Sequence, residues 1–356
     1  MFWKRTLERR VEGIVEMHVE IISDWKGVLR YFTPKQKDVY FSEQYVRLAA
    51  SKEDTPLCTV CEENDKILLM PFLRRTVGKF FDFETPYGYG GPISNTDDTD
   101  WNKRAVKELV AYFASHDYLA GFVRFHPLLD NANICRDGFS VIDDRKTIAI
   151  DTSASGKNIW QEQISSKNRN MIRKAERNGL SFVRDDGFRY IEEFKRLYNS
   201  TMNRIGAENF YFFDDTYYER FTDIFRDKGF LGCITKNNEI ISAALFMYDG
   251  NYGHYHLAGS DRRYSSLGAN NLLLWKVACE MHQEGVKEFH LGGGNSGDAE
   301  DSLFRFKRSF SPNLRQFSIG KMVFNKEAYD SVCADWEKAN PGKVGKYGNR
   351  LLKYRY

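Results

Sequence analysis

The stretch at residues 260–271 (SDRRYSSLGANN) sets Arg262 and Arg263 ahead of Ser265 and Ser266, with Gly268-Ala269 opening a helix. Free backbone N–H groups and the positive end of the helix dipole would then face one place, and the small pair lets a ligand approach the backbone. A phosphate or pyrophosphate fits there, held by Arg263, Ser266, Gly268, Ala269 and Asn270. An ordinary capped helix after a solvated turn fits the same spacing. Arg169, Arg173 and Arg177 recur every four residues, with Ile164, Met171, Ile172 and Ala175 lining the opposing face. Guanidinium groups so spaced can grip a diphosphate or an RNA backbone, although solvated helix faces carry such runs too. Arg204 follows Thr201 in the expected turn after a helix, where it can meet an anion or the helix C-terminus.

His254 and His256 share one face of a strand at 252–258, with Tyr252 and Tyr255 interleaved. An imidazole beside a cleft can deprotonate an amine, which makes His256 a candidate base. Packed strand histidines give the same pattern, and a metal would lack a third ligand. Residues 302–310 (SLFRFKRSF) alternate apolar and basic, so an extended chain would put Arg305 and Lys307 on one face. There Lys307 can stabilise a developing oxyanion or phosphate; taken alone, the segment reads as an edge strand with protective charges. Residues 84–92 (ETPYGYGGP) suit a close-packed substrate loop with Tyr87 and Tyr89 as stacking surfaces, or a long turn after a strand.

These residues need a scaffold. In the first half, 38–52 reads as a helix, 57–61 and 67–73 as a hairpin turned at 63–65, 102–115 as an amphipathic helix, and 119–125 and 143–152 as strands. The polar stretch 153–158 marks a junction. In the second half, 159–178 reads as one helix ended by Gly179, and 189–203 as another. A strand meander (231–235, 240–248, 252–258) follows, then a loop, a helix over 269–283 closed by Gly285, and a strand over 287–291 running into Gly292-Gly293-Gly294. The coarse order of elements thus occurs twice. The expected division is an N-terminal domain at 1–152, a C-terminal domain at 153–335, and a basic tail at 336–356 that frays or touches a polyanion.

Composition limits the classes of function. The 356 residues, 42% hydrophobic and 15% aromatic, can fill packed cores and exclude disorder as the main state. Lys+Arg 52 against Asp+Glu 49 leaves +3, so no overall field draws the chain to nucleic acid and DNA is not an expected partner. The six cysteines are scattered, and Cys58-x-x-Cys61 has no second pair to complete a zinc set, so a reducing cytoplasm and no metal are expected. The charged N-terminus lacks a signal-peptide core, and no stretch approaches 18 consecutive apolar residues.

Taken in order, the motifs resemble the FemAB/FemX-like branch of the GNAT acyltransferases, tandem-domain proteins of bacterial cell-envelope synthesis. The likeness rests on Thr85-Pro86-Tyr87-Gly88-Tyr89-Gly90-Gly91-Pro92, on Lys167-Asn168-Arg169 through Asn178-Gly179, and on Thr201 through Arg204. It continues in Leu267-Gly268-Ala269-Asn270-Asn271-Leu272-Leu273 and in Gly292-Gly293-Gly294 followed by Phe306-Lys307. The resemblance implies an α/β fold of two tandem GNAT-like domains, each a mixed, mostly antiparallel sheet flanked by helices. It implies that Arg204 contacts the diphosphate of a nucleotide-linked precursor and that Lys307 stabilises charge during acyl transfer. The loop over 263–269 matches the pyrophosphate position of acetyl-CoA-using relatives but departs from their Arg/Gln-x-x-Gly-x-Gly/Ala spacing.

The expected function is N-acyl transfer, in the cytoplasm, from an activated donor to an amine of a cell-envelope glycan or nucleotide-sugar precursor. The donor is acyl-CoA or aminoacyl-tRNA, with near-neutral net charge leaning toward the smaller. Arg169, Arg173, Arg204, Tyr87 and Tyr89 are the expected substrate contacts. A lipid-linked sugar acceptor, tRNA as partner and peripheral membrane contact stay open, and the contrasting classes are a non-catalytic nucleotide-sugar binding module and a nucleic-acid binder.

Overall fold

The computed structural model describes residues 17–356, so the charged N-terminal segment discussed above lies, through residue 16, outside the described residues. Apolar runs rich in β-branched and aromatic residues, separated by tight turns, form the strands. The first half supplies β1 (His18–Ile22), β2 (Thr55–Glu63), β3 (Lys66–Val77), β4 (Phe80–Glu84), β5 (Ile93–Ser94), β6 (Tyr118–Arg124) and β7 (Ser140–Asp151). The second supplies β8 (Ser181–Asp185), β9 (Gly229–Lys236), β10 (Glu239–Asp249), β11 (Tyr252–Ser260), β12 (Glu288–Gly292) and β13 (Leu314–Val323). They join in one mixed, mostly antiparallel sheet of order β1-β2-β3-β4-β6-β13-β7-β12-β11-β10-β9-β8, with β5 on β3. β13 lies between β6 and β7, so the last strand in sequence is inserted into the sheet of the first half.

The helices are α1 (Glu43–Ala49), α2 (Thr99–Ala114), α3 (Gly156–Asn158), α4 (Ser166–Arg177), α5 (Ile191–Arg204), α6 (Asp215–Ile224), α7 (Ala269–Gln283), α8 (Ser302–Arg308), α9 (Lys326–Ala339) and α10 (Pro341–Tyr347). Their apolar faces close the sheet on both sides. Phe194 and Leu197 of α5 and Phe221 of α6 share a core with Leu231, Leu245 and Leu257, and with Trp25, Phe41 and Tyr45 of the first half. On the opposite face, Ile172 of α4 and Leu273 and Val277 of α7 pack on Ile234, Phe246 and Phe289. A third core joins α2 to β3, β4 and β6 through Leu109, Phe113, Phe72 and Phe83. Burial of one such side chain is worth about 1.5–3 kcal/mol, which fixes α5 against β11 and α7 against β9 and β10.

Several local expectations need correcting. The 159–178 stretch is not one helix: a wide turn over Ile159–Gln163 ends at extended Ile164, and α4 restarts where the Ser165 hydroxyl accepts from the Asn168 amide at 3.3 Å. An N-cap serine offers the backbone a stop that apolar periodicity does not reveal. Residues 302–308 form a helix, not an edge strand, because Asp301 accepts from the Phe304 amide at 2.9 Å and caps it. The segment at 38–52 is a 3-10 turn over Val39–Phe41 followed by α1, whose cap is Ser42. The basic C-terminus folds back on the first half: the Trp336 indole donates to the Tyr356 carbonyl at 3.1 Å, and Arg355 pairs with buried Asp82 at 2.8 Å. Cys58 and Cys61, three apart on β2, enter different cores, and the thiols of all six cysteines are free.

Candidate active site

β11 hydrogen-bonds to antiparallel β10 as far as Ser260, but to parallel β12 only from Tyr252–Glu288 to His254–His290. Beyond His254 the two parallel strands separate, and β11 presents an unpaired backbone edge across a wedge. Unpaired N–H and C=O groups along such an edge suit an extended ligand. A bulge sharpens the geometry. The β10 register steps from Leu245–Leu257 to Phe246–Tyr255 and passes over His256. Bulges of this kind twist a strand and re-aim its side chains.

The far wall of the wedge is the end of β12. Gly292 turns the chain there with φ +75°, a conformation an L side chain adopts only at a cost. Lys307 reaches this turn from α8. Its Nζ donates to the Gly293 carbonyl at 2.8 Å and lies 5.8 Å from the centre of the Tyr255 ring. Lys307 is 8% exposed, and burial lowers its pKa to about 8, against a smaller opposing influence of Asp301. A lysine near this value carries its proton at neutral pH while poorly hydrated, a condition in which its charge acts strongly on a neighbouring oxygen.

Loop 84–92 lines the site from the first half, and its two tyrosines part company. Tyr89 packs on His290 and Phe317, with ring centres at 5.1 and 5.7 Å, and its hydroxyl reaches the same space over Gly292 as Lys307. Tyr87 turns toward His256 and Phe213, at 5.9 and 6.0 Å. Gly88 between them has φ +91°, and a Cβ there would collide with the Tyr40 ring at 2.4 Å.

His256 is poorly placed to act as a base. Burial lowers its pKa to about 3, with His254 adding to the effect. Its Nε2 shares a 2.7 Å hydrogen bond with the Tyr217 hydroxyl, and its ring stacks on Phe221 at 5.5 Å. So weak a base takes little of an amine's proton at neutral pH. His256 is better understood as a neutral member of an aromatic wall.

The remaining anion-binding candidates divide. Arg204 stands exposed at the end of α5, with Nη1 3.4 Å from the Ser260 carbonyl, and so marks the far end of β11. Arg169 is taken up internally: its Nη1 donates to the carbonyls of Trp160, Gln161 and Ile164 at 3.1, 3.3 and 2.6 Å. Arg173 is exposed, with its guanidinium 5.3 Å over Trp160. Arg263 is held by Asp261 at 2.7 Å and Glu239 at 2.9 Å. The Ser266 carbonyl accepts from Lys174 at 2.9 Å, and the Asn270 side chain accepts from the Ser242 hydroxyl at 2.6 Å. Gly268 has φ +80°, and the space of its missing Cβ is filled by the Met171 carbonyl of α4 at 2.9 Å. Gly268 and Ala269 are both buried, so the small pair admits α4 and not a ligand.

Lys307 and Arg204 therefore lie at the two ends of the C-terminal half of β11, whereas the Gly268 turn packs on α4. From Tyr255 to Ser260, at ~3.3 Å per residue, the site extends roughly 16 Å.

A buried cluster escaped the sequence reading because its members are far apart along the chain. One carboxylate oxygen of Asp38 lies 2.6 Å from Nε2 of both His126 and His254. Burial alone would raise the Asp38 pKa; the two imidazoles outweigh it and hold the group well below the carboxylate range. These three residues could surround a cation. Their outer partners suit hydrogen bonding instead. The Leu129 amide donates to Nδ1 of His126 at 3.3 Å, which puts the ring proton on Nε2, facing Asp38, whereas a metal needs that nitrogen bare. Among the described residues, Nδ1 of His254 has no hydrogen-bond partner to orient it as a ligand.

Residues 165–308 match the acetyltransferase (GNAT) domain family, a span from the cap of α4 to the end of α8 that includes Lys307. Among solved structures the chain is similar to FemX, with 14% identity, TM-score 0.68, and coverage of 88% of this chain and 99% of that one. It is also similar to the C-terminal domain of a putative lysylphosphatidylglycerol synthetase from Agrobacterium fabrum, with 14% identity, TM-score 0.53, and coverage of 84% and 89%. A conserved protein of unknown function from Bacteroides thetaiotaomicron shares the fold at 12% identity and TM-score 0.55, with coverage of 87% and 100%. No curated protein matches the chain by sequence.

Proposed function

We propose that this chain, an acyltransferase whose GNAT domain is set in a FemX-like fold, moves an activated acyl group onto an amine of a cell-envelope glycan or nucleotide-sugar precursor. Residues 1–152 and 153–335 are taken as its two GNAT-like units. The observation that carries the reading is Lys307, a buried ammonium at the mouth of the wedge between β11 and β12.

In this reading the donor lies along the open edge of β11 with its carbonyl near Lys307. The neutral acceptor amine attacks, the new C–N bond forms, and the carbonyl electrons move onto an oxyanion stabilised by Lys307 and backbone N–H groups. The oxyanion collapses, the donor C–S or C–O bond breaks, and the amine proton leaves with the departing carrier or to solvent. Proximity supplies much of the acceleration. Arg204 and Tyr87 receive the acceptor.

Acyl-CoA is the simpler donor. The pairing of Arg263 with Asp261 and Glu239, and the closure of Gly268 by α4, favour a second reading in which the donor is aminoacyl-tRNA. Thermal shifts with acetyl-CoA, longer acyl-CoAs, aminoacyl-tRNA and uridine-diphosphate sugars decide between them, since a ligand that binds only the folded state raises its melting temperature. A donor that shifts melting and is consumed with an amine acceptor supports transfer. Binding without consumption would make the chain a recognition module.

A further inference from the structure

Four of the nine exposed large apolar side chains among the described residues fall within eight positions: Ile205 and Phe210, each 60% exposed, Tyr211 at 38% and Phe212 at 37%. They sit on the loop between α5 and α6, which begins directly after Arg204. The loop is anchored from below: the Tyr198 hydroxyl donates to the Tyr211 carbonyl at 2.8 Å, and Phe213 packs on Tyr87 at 6.0 Å. Phe210 and Tyr211 also approach Tyr87, with ring centres at 5.6 and 6.4 Å, yet their outer faces stay exposed with Ile205, and a cluster of this kind on a well-packed chain marks an interaction surface.

Its flank is basic. Lys346 and Arg350, at the end of α10 and just beyond it, both reach Glu208 of this loop, at 3.0 and 3.8 Å, and two cations against one carboxylate leave a positive excess. The Arg350 guanidinium lies 4.9 Å over Tyr347 and 4.4 Å over Tyr356, extending the aromatic and basic strip. A soluble anion would use the cations and leave Ile205 and Phe210 wet. A bilayer interface takes both, with aromatic rings at headgroup depth and Lys/Arg against anionic lipid.

We propose that the Ile205–Phe212 loop, with Lys346 and Arg350, docks the protein on an anionic membrane surface beside the acceptor end of the site. The docking surface stands on its own observations and rests on the transferase reading only for which end of the site receives the acceptor.

The test is co-sedimentation of the full chain with phosphatidylcholine vesicles and with phosphatidylcholine/phosphatidylglycerol vesicles, beside turnover on a water-soluble amine acceptor. The expected result is pelleting with the anionic vesicles, weakened by salt and reduced at least ~10-fold in Ile205→Ser/Phe210→Ser and in Lys346→Glu/Arg350→Glu. Melting temperature should be unchanged in Ile205→Ser/Phe210→Ser, and soluble-acceptor turnover should be unchanged in Lys346→Glu/Arg350→Glu. Equal pelleting of variant and parent, or no dependence on anionic lipid, overturns the proposal. A dimer in solution that the Ser variants dissolve would assign the surface to a second copy of the chain. If vesicle binding holds but no acceptor is turned over, docking survives and the transferase reading fails.

Discussion

A Cβ placed on Gly292 would stand 3.3 Å from Nζ of Lys307, so the turn that ends β12 and the buried amine occupy one shaped space. Gly292→Ala pays twice, through φ +75° and through displacement of the ammonium. The backbone cost is about 1–2 kcal/mol, read as a lower melting temperature. Turnover should fall further than that loss of stability explains, with little change in acceptor KM.

The depressed pKa of Lys307 gives two pH signatures. The unfolded chain binds this proton up to about 10.5 and the folded chain only to about 8, so stability rises with pH between those values. Burying the charge therefore costs about 3 kcal/mol below pH 8, and Lys307→Met should be more stable than the parent at pH 7 and lose that advantage above pH 10.5. Turnover needs the protonated form and should decline as pH rises through about 8, which a pH–rate profile reads directly.

Asp38 accepts from two buried imidazoles, and removing it leaves both N–H groups without a partner. Asp38→Ala should cost roughly 2–5 kcal/mol in a denaturant titration. Asp38 is shifted down by its imidazoles and His126 by burial, so the unfolded chain binds more protons than the folded one as pH falls. The stability they confer is complete above the ordinary histidine value of 6.5 and drains away below it, so melting temperature should drop on acidification; in the variant the Asp38 share, lost only in the carboxylate range, is absent.

Arg169 and Arg204 give opposite outcomes. Arg169 holds three carbonyls of the turn before α4, so Arg169→Ala should lose about 1–3 kcal/mol of stability and leave acceptor KM unchanged. Arg204→Ala should fold normally and raise the KM for a diphosphate-bearing acceptor about 10-fold, the loss of a charge-assisted contact.

What the sequence disclosed follows from the range of each interaction. The hairpin of β2 and β3, the meander of β9 to β11 and the helix α7 were legible because their turns and periodicities are local. The Lys307 segment reads as extended in the sequence because the alternation of Phe and basic residues outweighs the cap at Asp301, and the role proposed for the lysine rests on the order of motifs. The break before α4 was hidden in one serine. Asp38, His126 and His254 could not be joined beforehand, since only the sheet brings them to one oxygen. Arg263 and Gly268 were legible as types but not as partners: beside the local Asp261, Glu239 and Met171, which also occupy them, come from other elements of the chain.

Stabilisation of the transition state by Lys307, over and above filling the wedge, is what the transfer step requires. Its most direct measurement is kcat for Lys307→Met at neutral pH with the donor identified by thermal shift, alongside donor and acceptor dissociation constants. A fall in kcat of about 100-fold or more, with both constants within about twofold of the parent's, is the predicted result. A kcat kept within a few-fold of the parent's, or a loss confined to KM, would contradict it.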